Sequence, residues 1–132
     1  MMYQLTKNSE MTKFDKNGVN FVGFGSPNSE VGIVMESVEK GHFEEFVHDK
    51  STFIYIFLEG EGVFFLDGTP VKVEAGDMLT VSPGTRIYYF GELKQLLITN
   101  PAFDPKYERH IRDVDEREYE EFLLTRGSSF TR

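Results

Sequence analysis

The feature that most limits what this chain can fold into is the run Phe53-Ile54-Tyr55-Ile56-Phe57-Leu58, in which every side chain is aromatic or aliphatic. Aromatic and β-branched residues in so short a run favour a strand, and apolar side chains at both parities require cover on both faces. The run ends at Glu59-Gly60-Glu61-Gly62, which reads as a tight turn after which residues 63–66 pair back. Asp67-Gly68 then signals a two-residue hairpin, because both turn positions take positive φ. In Pro70-Val71-Lys72-Val73-Glu74 the alternation is strict, with the valines inward and Lys72 and Glu74 outward. Ala75-Gly76-Asp77 turns the chain again. Further β-prone runs at 78–81, 86–90 and 93–99, and earlier ones at 31–38 and 43–47, are separated by turn residues such as Ser82-Pro83-Gly84-Thr85. Consecutive short strands of this kind hide their open edges by closing into a jelly roll or small barrel, and the inside of such a barrel can hold one small ligand.

With 132 residues, the chain fits one domain. Its parts read as an N-terminal arm over 1–30 packing on the barrel, a β-barrel core over 31–105, and a C-terminal helical extension over 106–132. Gly23, Gly25, Ser26, Pro27 and Asn28 mark a loop between arm and core. Asp113 followed by Glu116 resembles an N-cap with its capping partner, and Val114, Glu118, Phe122 and Leu123 give a weak helical stripe up to Gly127. The acidic residues of 113–121, interleaved with Arg117 and Tyr119, read as a solvated helix face.

The absence of cysteine excludes disulfides, thiolate metal sites and a cysteine nucleophile, and suits a reducing compartment such as the cytoplasm. Fourteen Lys and Arg against 22 Asp and Glu give a formal net charge of −8, which disfavours nucleic acid as a partner. No apolar run reaches the length of a membrane span, and the first residues lack a signal-peptide pattern.

Two stretches resemble the small single-domain cupins: Ile56-Phe57-Leu58-Glu59-Gly60-Glu61-Gly62, and the later run from Val73 through Gly76, Ser82 and Gly84 to Thr85. The resemblance implies an all-β fold, a cupin-like double-stranded β-helix (jelly-roll barrel) with a short C-terminal helix. The family's second motif runs Gly, five residues, Pro-x-Gly, two residues, His, three residues, Asn. Here Gly76 and Gly84 match, Ser82 stands for the proline, Ile87 for the histidine and Gly91 for the asparagine. Counting back from Gly60 through the first motif puts Phe53 at the glutamate. The His-x-His pair falls on Phe46 and His48, or on Val47 and Asp49 with the shorter spacer that keeps Gly41 in place. The family's metal site is thereby deleted, and no metal or other cofactor is expected.

A displaced metal site would have to draw on His42, Glu44, His48 and His110. His42 and His48 share a strand face but stand about 20 Å apart along a straight strand, too far to share one ion. His48 is the candidate general base or hydrogen-bond donor to a ligand. Tyr55 shares its inward face with Phe53 and Phe57. Tyr89 shares the parity of Ile87, whereas Tyr88 and Phe90 face the other sheet or a partner chain. Arg86 points away from Ile87 and suits a carboxylate or phosphate. The expected ligand-binding set is therefore Phe46, Phe53, Tyr55, Arg86, Ile87 and Tyr89.

The first functional reading is a metal-independent cupin that binds a small organic ligand, sugar-like or carboxylate-bearing, in an aromatic pocket. The second is a metal-free enzyme of the sugar isomerase or epimerase kind, with His48 as base and Tyr55 or Tyr89 as acid. The third is a metalloenzyme with relocated ligands. Small cupins often pair through sheet edges, and 13 Phe with 6 Tyr in so short a chain favour a homodimer.

Overall fold

The computed structural model describes residues 3–24 and 30–126, the last two without side chains. Of the sequence expectations, the loop residues Gly25, Ser26, Pro27 and Asn28 and the helix stop at Gly127 lie outside them. The strands are β1 (Thr12–Lys16), β2 (Val19–Gly23), β3 (Gly32–Val38), β4 (Gly41–His48), β5 (Thr52–Leu66), β6 (Thr69–Glu74), β7 (Met78–Val81), β8 (Arg86–Asn100) and β9 (Glu108–Asp113), followed by helix α1 (Glu116–Arg126). They form a curled antiparallel sheet in the order β1-β2-β3-β8-β4-β9, while β5 pairs with β6, β7 and β8. Among the described residues no helix is long and apolar enough to cross a membrane.

The tight turn expected at Gly60–Gly62 is not a reversal. β5 and β8 each run for 15 residues. They pair from Thr52 opposite Asn100 to Leu66 opposite Ile87, with a register slip between Phe57 and Glu59. The runs expected as separate strands at 53–58 and 63–66, and at 86–90 and 93–99, are halves of these two. Glycine makes the continuity possible. A Cβ on Gly60 would lie 1.9 Å from the Glu92 carbonyl oxygen, and one on Gly62 would lie 2.5 Å from that of Phe90. Gly60 and Gly91 also have φ of 85° and 142°, which residues with a Cβ rarely adopt. The two backbones therefore bend together and carry the ladder round a corner. Beyond it β8 exchanges β4 for β3 as its second neighbour.

Alternation along these strands sorts the aromatic residues into two layers. Inside the barrel lie Phe46, Phe53, Tyr55, Phe57, Phe64, Ile87, Tyr89 and Leu97. Outside, Val63 and Phe90 pack with Val114 and Phe122, flanked by Phe43, Phe65, Tyr88 and Tyr119. The partner of Tyr88 and Phe90 is thus this chain's own C-terminal segment. Its helix starts two residues later than expected: Asp115 Oδ1 accepts from the Glu118 N–H at 3.0 Å, and Glu118 Oε2 from the Asp115 N–H at 3.2 Å. Asp113 is unavailable as a cap because it ends β9, a strand where the sequence suggested only a helical extension, and β9 pairs with β4.

The N-terminal arm is likewise a hairpin in the sheet. Asn17 and Gly18 turn it at φ of 54° and 91°, as Asp67 and Gly68 turn theirs at 51° and 82°.

The corner sets one expectation. Gly68→Ala, where nothing lies within 4 Å, costs only the left-handed backbone penalty of about 1 kcal/mol. Gly60→Ala adds a backbone collision and costs about 3 kcal/mol or more. Urea denaturation of the two variants checks this, and equal small losses would show that the close approach is dispensable.

Candidate functional site

The open side of the barrel encloses a cavity of about 430 Å³ lined by residues from β1 to β5, β8 and the segment leading into β9. Parity explains its walls. Along β3, Gly32, Val34 and Glu36 point inward, along β4 His42, Glu44 and Phe46, along β5 Phe53 and Tyr55, and along β8 Tyr89, Leu97 and Thr99. Lys16 and Glu108 also line it, as an ion pair at 3.6 Å.

Glu36 is buried on the cavity wall. Its Oε1 accepts from Gln95 Nε2 at 2.7 Å and from the Tyr89 hydroxyl at 3.2 Å. Burial outweighs both bonds and raises its pKa from the usual 4.5 to about 7. Burial, reinforced by the Glu36 charge, also pushes the phenols of Tyr55 and Tyr89 well above their ordinary range. They are protonated donors at neutral pH.

His42 stands across from Tyr89 in the β4–β8 register, with ring centroids 5.4 Å apart, and 5.0 Å from the Phe46 ring. Its Nδ1 lies 2.8 Å from the Glu44 carbonyl oxygen. A carbonyl only accepts, so Nδ1 carries the proton and Nε2 is left with a lone pair. Burial lowers the pKa of the ring from 6.5 to about 4, which keeps it neutral at physiological pH. The Glu44 carboxylate is held by Asn17 Nδ2 at 2.9 Å and by His110 Nδ1 at 2.7 Å.

The residues expected at the site divide in two. Phe46, Phe53, Tyr55 and Tyr89 all line the cavity, whereas His48, Arg86 and Ile87 are not among its lining residues. His48, the expected base, is buried with both nitrogens engaged by backbone: Nε2 donates to the Asp104 carbonyl at 3.1 Å, and Nδ1 accepts from the Ser51 N–H at 3.0 Å. Arg86 lies on the outer face near Glu45 and Asp67, at 3.8 and 3.6 Å. Ile87 packs in the core. From sequence, His42 is expected only among metal ligands and Glu36 is not among the expected residues, although each shares inward parity with an apolar neighbour, Phe46 or Val34. A charged or titratable residue on an inward row was the signal. Among the described residues no group of three or more His, Cys, Asp or Glu is placed to hold a metal ion.

The curled sheet and its enclosed cavity define a small cupin domain of the ligand-binding kind. The family described as AraC-like ligand binding domain matches residues 36–90. A solved structure of Pac13, described as a unique nucleoside dehydratase, is 38% identical, covers 89% of this chain and 98% of its own, and superposes with a TM-score of 0.84. Streptomyces PAC13 variants Y55F, Y89F and H42Q have each been solved with uridine, at 36%, 36% and 37% identity and with the same coverage. An RmlC-like cupin from Shewanella frigidimarina, 20% identical over 79% of this chain and 96% of its own, shares the fold with a TM-score of 0.64. No curated protein sequence matches. The chain belongs to the small cupins, in the family that contains Pac13.

The two buried groups set opposite pH dependences. The folded state retains a proton on Glu36 that the unfolded chain releases, so stability falls as pH rises from 4.5 to 7. The folded state refuses a proton on His42 that the unfolded chain accepts, so stability rises with pH from 4 to 6.5. Each is worth about 3 kcal/mol over its window. Relative to the parent, Glu36→Gln leaves a profile that climbs through the His42 window, and His42→Gln one that falls through the Glu36 window. Urea denaturation at a series of pH values reads both slopes, and unchanged slopes would contradict the burial of these groups.

Proposed function

We propose that this chain is a metal-independent dehydratase that binds a nucleoside in the aromatic cavity and removes water from its sugar by acid–base chemistry. The observation that carries the reading is His42, neutral and with an open Nε2 lone pair, set across from Tyr89, whose protonated hydroxyl donates to Glu36. Support also comes from the relatives: the substituted positions in the uridine-bound Pac13 variants are tyrosine, tyrosine and histidine, and this chain has those residues at 55, 89 and 42, all on the cavity wall.

In this reading His42 Nε2 takes a proton from a sugar carbon, and the electron pair of that C–H bond forms a C=C bond as the neighbouring C–O bond breaks. The departing hydroxyl leaves as water with a proton from Tyr89, backed by Glu36, or from Tyr55. Return of the proton from the imidazolium to the phenolate resets the site. An imidazole with a pKa of about 4 is a weak base, so the C–H must be acidified by an adjacent carbonyl on the substrate. The aromatic walls suit the flat face of a heterocycle, and the sugar-like part of the ligand meets the polar end.

The His48-based isomerase is disfavoured because both nitrogens of His48 are engaged by backbone. The relocated metal site lacks a cluster of donors among the described residues. A two-fold homodimer remains part of the reading, since β1 is a sheet edge and Phe14 on it is 46% exposed. Sedimentation showing only monomer at every concentration would overturn that part.

The expected result is that nucleosides with a carbonyl-bearing sugar lose one water on incubation, read by mass spectrometry, and that a chelator leaves the rate unchanged. His42→Gln lowers turnover by at least about 100-fold while uridine still binds. Full activity in His42→Gln, or loss of activity on chelation, overturns the mechanism.

A further inference from the structure

Among the described residues two buried side-chain atoms lack a hydrogen-bond partner, Gln95 Oε1 and Thr99 Oγ1. Gln95 stands behind Glu36 and is not among the residues that line the cavity. Thr99 does line it, with only 3% of its surface exposed. A buried hydroxyl left unpaired costs free energy that an isosteric valine would not. The surroundings of Thr99 are shaped around that hydroxyl. Gly32 stands opposite it in the β3–β8 register, and a Cβ on Gly32 would come within 2.6 Å of Thr99 Oγ1 and 3.2 Å of the Phe103 nitrogen. The space is bordered by the rings of Phe53 and Phe103, whose centroids are 6.5 Å apart.

This corner lies away from Glu36, and its nearest acid–base candidate is Tyr55, two residues along β5 from Phe53, the register partner of Thr99. Thr99 follows Gln95, the register partner of Glu36, by four residues on one strand, or about 13 Å. The cavity thus has Glu36 and Tyr89 at one end and, at the other, the rings of Phe53 and Phe103 with one unsatisfied hydroxyl, and the Lys16–Glu108 ion pair also lines its wall. That division suits a sugar at the polar end and a planar heterocycle between the rings.

We propose that Thr99, with Gly32 and Phe103, forms the subsite that recognises the base of the nucleoside, the Thr99 hydroxyl hydrogen-bonding to the polar edge of the heterocycle. Gly32 leaves the room that the edge occupies, and Phe103 offers it an apolar border at the cavity mouth. The inference rests on the nucleoside reading above and adds a residue that sets specificity without taking part in the proton transfers.

The test is calorimetric titration of uridine into the wild type, Thr99→Val and Thr99→Ser. Methyl β-D-ribofuranoside, which has the sugar but no base, is measured by competition, and the Tm of each unliganded protein is recorded. Thr99→Val is expected to weaken uridine binding about tenfold, the effect of one lost hydrogen bond. It should leave the riboside unaffected and not lower Tm. Thr99→Ser, which keeps the hydroxyl, should bind uridine within about threefold of the wild type. Wild-type affinity for uridine in Thr99→Val overturns the subsite and leaves the nucleoside reading standing. A fall in Tm with equal weakening of both ligands also overturns it, since that marks a structural hydroxyl. Failure of the wild type itself to bind uridine overturns the nucleoside reading and the subsite with it.

Discussion

The close approach of β5 and β8 at their shared corner is the constraint on which the rest of the molecule depends. Two 15-residue strands stay paired while turning from one side of the barrel to the other. They can do so because Gly60, Gly62 and Gly91 put no Cβ between the backbones. Below the corner, β8 supplies Ile87 and Tyr89 opposite β4; above it, the same strand supplies Gln95, Leu97 and Thr99 opposite β3. A single strand thus carries Tyr89, which donates to Glu36, the Gln95 that also holds it, and the hydroxyl at the far end of the cavity. Breaking β8 into two hairpins would leave these groups on separately placed elements.

Once the barrel is closed, desolvation does the electrostatic work. The same apolar enclosure raises the Glu36 pKa and lowers that of His42, because burial disfavours the charged form whichever sign it carries. The result is a neutral imidazole facing a protonated phenol at neutral pH. The aromatic side chains are therefore more than filler: Phe46 and Tyr89 flank the His42 ring, and Phe64 stacks on Tyr89 at 4.2 Å and 12°. They exclude the water that would return both groups to their ordinary pKa values. Tyr89 serves twice, as wall and as donor to Glu36.

The opposite face of β5 and β8 has a structural task. Phe65 stacks on Tyr88 at 4.6 Å, and Phe90 lies 5.2 Å from Phe122 of α1. Arg112 on β9 joins strand to helix, with Nε to Glu45 and Nη1 to Glu118, each at 3.0 Å. This cover keeps the long strands from presenting an aromatic face to water, and it anchors β9, which brings Glu108 to the cavity and His110 to Glu44.

The sequence by itself determined the strand content, the Asp67-Gly68 hairpin, the cupin likeness through Gly76 and Gly84, and the inward row of Phe53, Tyr55 and Phe57. These are local properties of pattern and turn chemistry, and a period of two fixes them without knowledge of neighbours. The sequence also carries Asn17-Gly18 as a hairpin signal and Glu36 at the inward parity of Val34. Tertiary structure alone decided that Gly60 to Gly62 bends a strand instead of reversing it, because the deciding contact is with Glu92 and Phe90, some 30 residues away. It alone decided that His42 is open to the cavity while His48 is not. Both lie on the inward side of β4, but His48 has both nitrogens bonded, to the Asp104 carbonyl and the Ser51 amide, whereas the hydrogen bond of His42 is from Nδ1 to its own strand's carbonyl at Glu44. A titratable side chain's chemistry is set by what surrounds it, and the decisive part of those surroundings, the Asp104 carbonyl at His48 and the Tyr89 ring at His42, comes from elements that fold onto β4 from far along the chain.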